Sequence, residues 1–345
     1  MILDQPGSIL PIIQAPMAGV QDAALTVAVC NAGALGSLPA AMYSPEALAN
    51  ELDSLQALTS RPYNLNFFCH DPVVASEAQL ATWRQTLEPL YTSLGLDQSG
   101  IQSGPARAPF DEHSLALVQR YRPAVVSFHF GLPRAEWVRA IREQGTEVWS
   151  SATTVDEAIW LQEHGADAII AQGLEAGGHR GSFLDADLSR QLGTLALVPQ
   201  IHRAISLPVI AAGGIADAGG IRAAMALGAS AVQVGTAFLL SQEATTSAVH
   251  RRALASPQSA HTALTNVFTG RPARGIVNRL VRELGPMSDQ APPFPHAAGA
   301  VAPLRAAAEA QDSGEFSPLW CGQNAAELST ASAASIVTQL ARGLD

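Results

Sequence analysis

Residues 168–181 read Ala168-Ile169-Ile170-Ala171-Gln172-Gly173-Leu174-Glu175-Ala176-Gly177-Gly178-His179-Arg180-Gly181. A short apolar run without alternation suits a strand covered on both faces. The paired glycines beyond it let backbone pass close to a planar or phosphorylated ligand, with no Cβ in the way. His179 then stands at the rim of that strand, where such a ligand would lie.

Working outward, seven more runs of the same kind surround this one: Pro11 to Ala15, Ala34 to Leu38, Tyr63 to Phe67, Ala124 to Phe128, Glu147 to Ser151, Pro208 to Ala212 and Ala231 to Val234. Helix signals separate them. Ser44-Pro45 opens a helix over 46–58, Thr154-Val155-Asp156-Glu157 has the form of a capping box, and Asp217 precedes a helix that Gly228 ends. Eight strand–helix units predict an α/β fold of the TIM (β/α)8 barrel type, with the barrel over 1–236 and a smaller, mainly helical cap over 237–345. Within that tail, 237–283 reads as largely helical, 286–303 as irregular, and 304–311 and 325–344 as helices. Residues 69–123 have room for two extra helices, 77–94 and 112–121, joined by a loop rich in Gly, Ser and Pro. Residues 182–193 read as a polar insertion beside the glycine stretch.

Composition narrows the chemistry. A net charge of -10 over 345 residues argues against a nucleic-acid surface. All 20 basic residues are Arg, which excludes a lysine Schiff base, a pyridoxal-phosphate lysine and a P-loop lysine. Cys30, Cys69 and Cys321 are far apart and odd in number, so neither a disulfide framework nor a zinc site is expected. Reduced thiols and an N-terminus without a basic, apolar leader predict a cytoplasmic protein. Residues 223–242 are uncharged, but their interruptions read as a helix end followed by a buried strand rather than a membrane span.

Barrel active sites lie at the carboxyl ends of the strands. Those ends carry Ala15-Pro16-Met17-Ala18-Gly19, Asn66, His129, Ser150-Ser151, Gln172 with Gly177-Gly178-His179, Gly213-Gly214 and Gln233-Val234-Gly235-Thr236. Gly213-Gly214 and Gly235-Thr236 follow the last two strands and can offer bare amides and a hydroxyl to a phosphate. Asn66 and Gln172 carry donor and acceptor together, which suits the edge of a flavin ring, with amides near Met17 and Ala18 on its other side. No His-x-x-x-His pair or Gly-x-Ser-x-Gly elbow supports a metal site or a serine hydrolase. Ser150 and Ser151 are expected only to cap a helix or hold water, and histidines other than 129 and 179 to be solvated.

Together with Ile13 to Gly19, Asn64 to His70, Ala211 to Ile215 and Leu319-Trp320-Cys321-Gly322-Gln323, these stretches resemble the nitronate monooxygenase family over almost the full chain. The Glu-Ala-Gly-Gly-His element is shared with flavin-dependent enoyl reductases and some quinone reductases. The resemblance implies an FMN enzyme on a TIM barrel that oxidises alkyl nitronates, such as toxic propionate 3-nitronate, with molecular oxygen to nitrite and a carbonyl compound. It assigns FMN to Asn66, Gln172, Gly177, Gly214 and Gln233 to Thr236, and catalysis to His179. Ala15, Pro16, Met17, Gly178 and Gly213 complete the expected cofactor set. His129 joins His179 as a substrate donor. Relatives carry a lysine ahead of a Trp-Ala-Gly-Gln motif, which here reads Trp320-Cys321-Gly322-Gln323, and Arg305 is the expected stand-in. A reductase using NADH or NADPH and a non-catalytic FMN-binding protein are the alternative readings.

Overall fold

The computed structural model describes residue 2, residues 9–98, residue 101 and residues 107–345. Residues 1 and 3–8 and part of the Gly, Ser and Pro-rich loop, 99–100 and 102–106, lie outside the described residues. All eight strands expected from the apolar runs are present: β1 (Ile12–Gln14), β2 (Gly36–Pro39), β3 (Tyr63–Phe68), β4 (Val125–His129), β5 (Glu147–Ala152), β6 (Ala168–Gln172), β8 (Val209–Ala212) and β9 (Ala231–Val234). They pair in parallel in the order β1-β9-β8-β6-β5-β4-β3-β2, and a parallel bridge between Ile13 and Leu35 joins the two ends into a barrel.

Local chemistry explains the elements between them. Ser44 Oγ accepts from Ala47 N–H ahead of α2 (Pro45–Leu58), with Pro45 in the first turn. Asp217 accepts from Gly220 N–H and starts α8 (Ala218–Ala226). At α6 (Val155–Glu163) only half of the expected capping box forms. Thr154 Oγ1 accepts from Glu157 N–H, but the Glu157 carboxylate turns to Thr153 N, Thr153 Oγ1 and Phe183 N at 2.6, 2.8 and 2.7 Å. Two further amides and a hydroxyl stabilise a buried carboxylate better than the cap amide alone.

Strand parity decides what faces the barrel axis. Ile13, Leu35, Val125, Trp149, Ile170, Ile210 and Ala231 fill the interior, while Ile12, Ile169, Val209, Val232 and Val234 pack outward under the helices. The C-terminal helix α12 (Ala333–Ala341) returns to cover β1, α1 (Ala23–Asn31) and α8. No helix among the described residues is long and apolar enough to cross a membrane, and 223–242 divide into a helix end, β9 and a 3-10 turn at Thr236–Phe238.

The tail departs from the expected helices. Thr262–Thr265 (β10) and Ala273–Ile276 (β11) form an antiparallel hairpin, and β11 pairs with Gly178–His179 (β7) in the register Ala273 to His179 and Arg274 to Gly178. β-Branched residues in β10 and an available edge at the glycine stretch favour that small sheet over a helix. Residues 286–303 are not wholly irregular, because α11 (Ala297–Glu309) begins inside them and tolerates Pro303. The helix expected over 325–344 is restricted to α12. Both extra helices exist, as α3 (Glu77–Ser93) and α4 (Glu112–Tyr121). α3 joins the tail: Trp83, Leu87, Leu90 and Tyr91 share one core cluster with Leu280, Val301 and Leu304, and Tyr91 donates to the Ala300 carbonyl at 2.7 Å.

Candidate active site

One cavity opens at the carboxyl ends of the barrel strands. Its wall includes Ala15, Pro16, Met17, Asn66, His129, Gln172, Gly177, Gly178, His179, Gly213, Gly214, Gln233, Gly235 and Thr236. Every expected site residue is there except Val234. That side chain points outward into the core beneath the helices, and its carbonyl accepts from Ala15 N–H at 2.8 Å.

The glycine rim supplies donors. Among the described residues, the amides of Gly177, Gly213, Gly214 and Gly235 donate to no protein acceptor. A Cβ on Gly178, whose φ is +74°, would stand in open space on the cavity wall. Beside them Gln233 Oε1 is buried without a partner. Bare amides, an orphaned acceptor and room above the backbone fit an anionic, planar cofactor such as a flavin. Asn66 donates to the carbonyl and hydroxyl of Ser127 at 3.1 and 3.0 Å, which leaves its Oδ1 available. The Met17 amide is committed to Gln21 Oε1 at 2.8 Å, so of the two amides expected over the ring only that of Ala18 remains free.

His179 is held on every side. Its carbonyl accepts from Gln172 Nε2 at 2.9 Å and from His129 Nε2 at 3.1 Å. Its Nε2 lies 3.0 Å from Thr269 Oγ1, while Nδ1 has no protein partner among the described residues. The rings of Phe68, Phe130, Phe294 and Trp320 surround it at centroid distances of 6.3, 6.2, 5.4 and 5.4 Å. Burial in this apolar shell, helped by the Arg107 charge, holds its pKa well below the ordinary histidine value, so the imidazole is neutral.

His129 differs from the substrate donor that was expected. A carbonyl only accepts, so Nε2 carries the proton given to His179, and Nδ1 accepts from Ser151 Oγ at 2.9 Å. Both ring nitrogens are thus engaged within the protein. Burial pushes its pKa down to about 3. Ser151 consequently supports His129 rather than capping a helix, a task that falls to Thr154, and Ser150 donates to the Gly131 carbonyl at 2.8 Å.

These observations meet the comparisons with known proteins. A sequence profile of nitronate monooxygenase matches residues 5–343. The chain belongs to the nitronate monooxygenase family. It is 42% identical to a nitronate monooxygenase of Pseudomonas aeruginosa over 97% of this chain and 96% of that one. Its identity to a nitronate monooxygenase of Paraburkholderia phytofirmans is 41%, over 97% and 92%. A crystal structure of nitroalkane oxidase from Streptomyces ansochromogenes superposes with a TM-score of 0.90 at 39% identity, over 97% of this chain and 95% of that one. Nitronate monooxygenases are flavin-dependent oxidoreductases acting on a small molecule, in keeping with the cavity.

Sequence reading overlooked several residues in this member of the nitronate monooxygenase family. Arg180 is fully buried and donates to Gln191 Oε1, the Gly173 carbonyl and the Gln172 carbonyl at 2.7, 2.6 and 2.7 Å. It fastens both ends of the glycine stretch. Glu175 accepts from Thr194 N and Oγ1 at 2.8 Å each and braces the same loop. Tail residues Trp320, Gly322 and Asn324 line the cavity, and Gly322 N–H donates to Thr236 Oγ1 at 2.9 Å. His70 and His250, expected in solvent, are 7% and 4% exposed, and burial pushes both down to about 4. Arg305 does not line the cavity and is paired with Glu309 at 2.8 Å; Arg107 is the arginine on the cavity wall.

Proposed function

We propose that this chain oxidises alkyl nitronates such as propionate 3-nitronate with molecular oxygen, releasing nitrite and a carbonyl compound, and that its flavin is FMN. The observation that carries the reading is a single cavity with four unpaired glycine amides on its rim and one neutral imidazole whose Nδ1 is open to it. Free amides on loops after the last two barrel strands suit one terminal phosphate. Thr236 Oγ1 accepts from Gly322 N–H, which leaves its own hydrogen to give to that phosphate. Asn66 Oδ1 and Gln233 Oε1 would accept from the ring edge, while Gln172, with Nε2 on the His179 carbonyl and Oε1 on Gly181 N–H at 2.8 Å, holds the wall beside it.

FMN, when bound, supplies the electron-accepting centre. His179 is the catalytic residue of this reading: it meets the nitronate as a neutral hydrogen-bonding group, with Thr269 deciding which nitrogen carries the proton. The one Thr269 hydrogen can go to the Arg271 carbonyl at 3.4 Å or to Nε2 at 3.0 Å; given to Nε2, the shorter contact, it leaves Nδ1–H free to donate to a nitronate oxygen. The aromatic shell excludes water, and the tail segment 262–320 with α3 forms the substrate-facing cap, while α12 belongs to the barrel. Nothing in a chain of net charge -10 suits it to nucleic acid.

Spectra of the purified protein, before and after anaerobic addition of ethyl nitronate, test the reading, followed by nitrite release in air. A yellow protein bleached by nitronate and releasing FMN on denaturation supports it. Colourless protein that FMN does not reconstitute, or bleaching by NADH with indifference to nitronate, overturns it.

A further inference from the structure

We propose that Arg107 binds the negative charge of the substrate, its guanidinium pairing with the nitronate oxygens beside Phe294, the ring that also neighbours the imidazole of His179. The inference rests on nitronate oxidation as the reaction of this site and assigns the anion-holding role within it.

Charge balance leads to Arg107. A nitronate is an anion, and moving it from water into a cavity walled by Phe68, His179 and Trp320 is costly without a countercharge. His179 is neutral, and His129 has both ring nitrogens engaged. The neighbouring arginines are occupied. Arg180 gives three N–H groups to Gln191, Gly173 and Gln172. Arg271 stacks 3.9 Å over the Phe130 ring and donates to the Ser182 carbonyl. Arg274 donates to the Leu174 carbonyl and Thr262 Oγ1, and Arg305 to Glu309.

Arg107 alone among the described arginines lines the cavity, and no carboxylate of the described residues pairs with it. Its segment is anchored: Phe110 N–H donates to the Phe68 carbonyl at 2.8 Å. The guanidinium carbon lies 5.8 Å from the Phe294 centroid, and that ring is 5.4 Å from the ring of His179. Cation and imidazole therefore both neighbour one aromatic side chain on the cavity. The planar fork of a guanidinium matches the two oxygens of a nitronate as it matches those of a carboxylate. A half-buried arginine without an anion among the described residues is accounted for when the ligand brings one.

The test uses the flavin-loaded full chain and the variants Arg107→Met and Arg107→Lys. Steady-state nitrite release from ethyl nitronate, which has no second charge, is expected to show KM raised about tenfold or more in Arg107→Met and only partly restored in Arg107→Lys, which keeps the charge but not the fork. Calorimetric titration with nitrate, an unreactive anion of similar shape, is expected to weaken in parallel. An Arg107→Met enzyme with parental KM for ethyl nitronate and parental nitrate affinity overturns the assignment. So does a loss confined to propionate 3-nitronate, which would put Arg107 on the tail carboxylate instead. Should the unaltered protein release no nitrite from either compound, the reading of the reaction fails, and the nitrate titration still decides whether Arg107 holds an anion.

Discussion

Nε2 of His129 donates to the main-chain carbonyl of His179 across 3.1 Å. A buried side chain thereby fixes the backbone, and so the aim, of the imidazole that faces the cavity. Ser151 holds the His129 tautomer from the other nitrogen. Ser151→Ala is expected to lower kcat/KM about tenfold, and His129→Ala further, since a small misplacement of a reacting group is expensive. Steady-state oxygen uptake checks this, with the flavin spectrum unchanged; equal activity in both variants would remove the positioning role.

His179→Ala is expected to lower turnover by roughly a hundredfold while flavin stays bound, as for loss of one principal electrostatic donor. Thr269→Val, which deletes the hydroxyl beside Nε2, should reproduce part of that loss, and Thr269→Ser should restore it. Oxygen uptake at saturating nitronate separates the three.

Two adjacent glycines should respond differently to alanine. At Gly177 a Cβ would fall 2.6 Å from Gly322 N and 2.7 Å from the Cys321 carbonyl carbon, so the tail must move. At Gly178 a Cβ meets nothing and enters the cavity, at a strain of about 1 kcal/mol for positive φ. Gly177→Ala is expected to lower Tm and flavin affinity together, and Gly178→Ala chiefly flavin affinity. Thermal melts with and without added FMN measure both.

Arg180→Met is expected to destabilise the fold by about 3 kcal/mol, because two buried carbonyls and a buried carboxamide lose their donors at once. Urea unfolding gives the figure, and a change below about 1 kcal/mol would mean water replaces the guanidinium.

Acid should unfold the protein in a definite window. His70 and His250 are held neutral in the fold down to about pH 4, whereas the unfolded chain protonates them near the ordinary value of 6.5. The unfolded state then binds more protons, so their contribution is complete above 6.5 and declines as pH falls toward 4. Each is expected to cost about 2 kcal/mol of stability by pH 5. Denaturation at pH 7 and pH 5, repeated on His250→Gln, checks the slope.

The barrel was legible because continuous apolar runs and their caps are local signals, and the glycine rim because strand ends concentrate function. Strand parity even contained the exclusion of Val234, whose neighbour Gln233 takes the inward direction. What escaped was long-range. Nothing near Thr262 announces that its hairpin will pair with Gly178–His179, and nothing around Arg107 marks it as the cation on the wall. His129 was found as a residue but not as a support, because the partners of its two nitrogens come from positions 151 and 179. Gly181 belongs with them: a Cβ there would meet the His129 ring at 2.8 Å, a closeness that only the folded chain reveals.

The pairing of β7 with β11 ties His179 to the hairpin that follows the barrel. Any remodelling of that hairpin to admit a bulkier or differently charged molecule pulls on the main chain of the imidazole itself. With the role proposed for His179, selectivity and reactivity would be mechanically joined, and transplanting a relative's hairpin without its glycine stretch is expected to yield an enzyme that admits the new compound yet turns it over poorly.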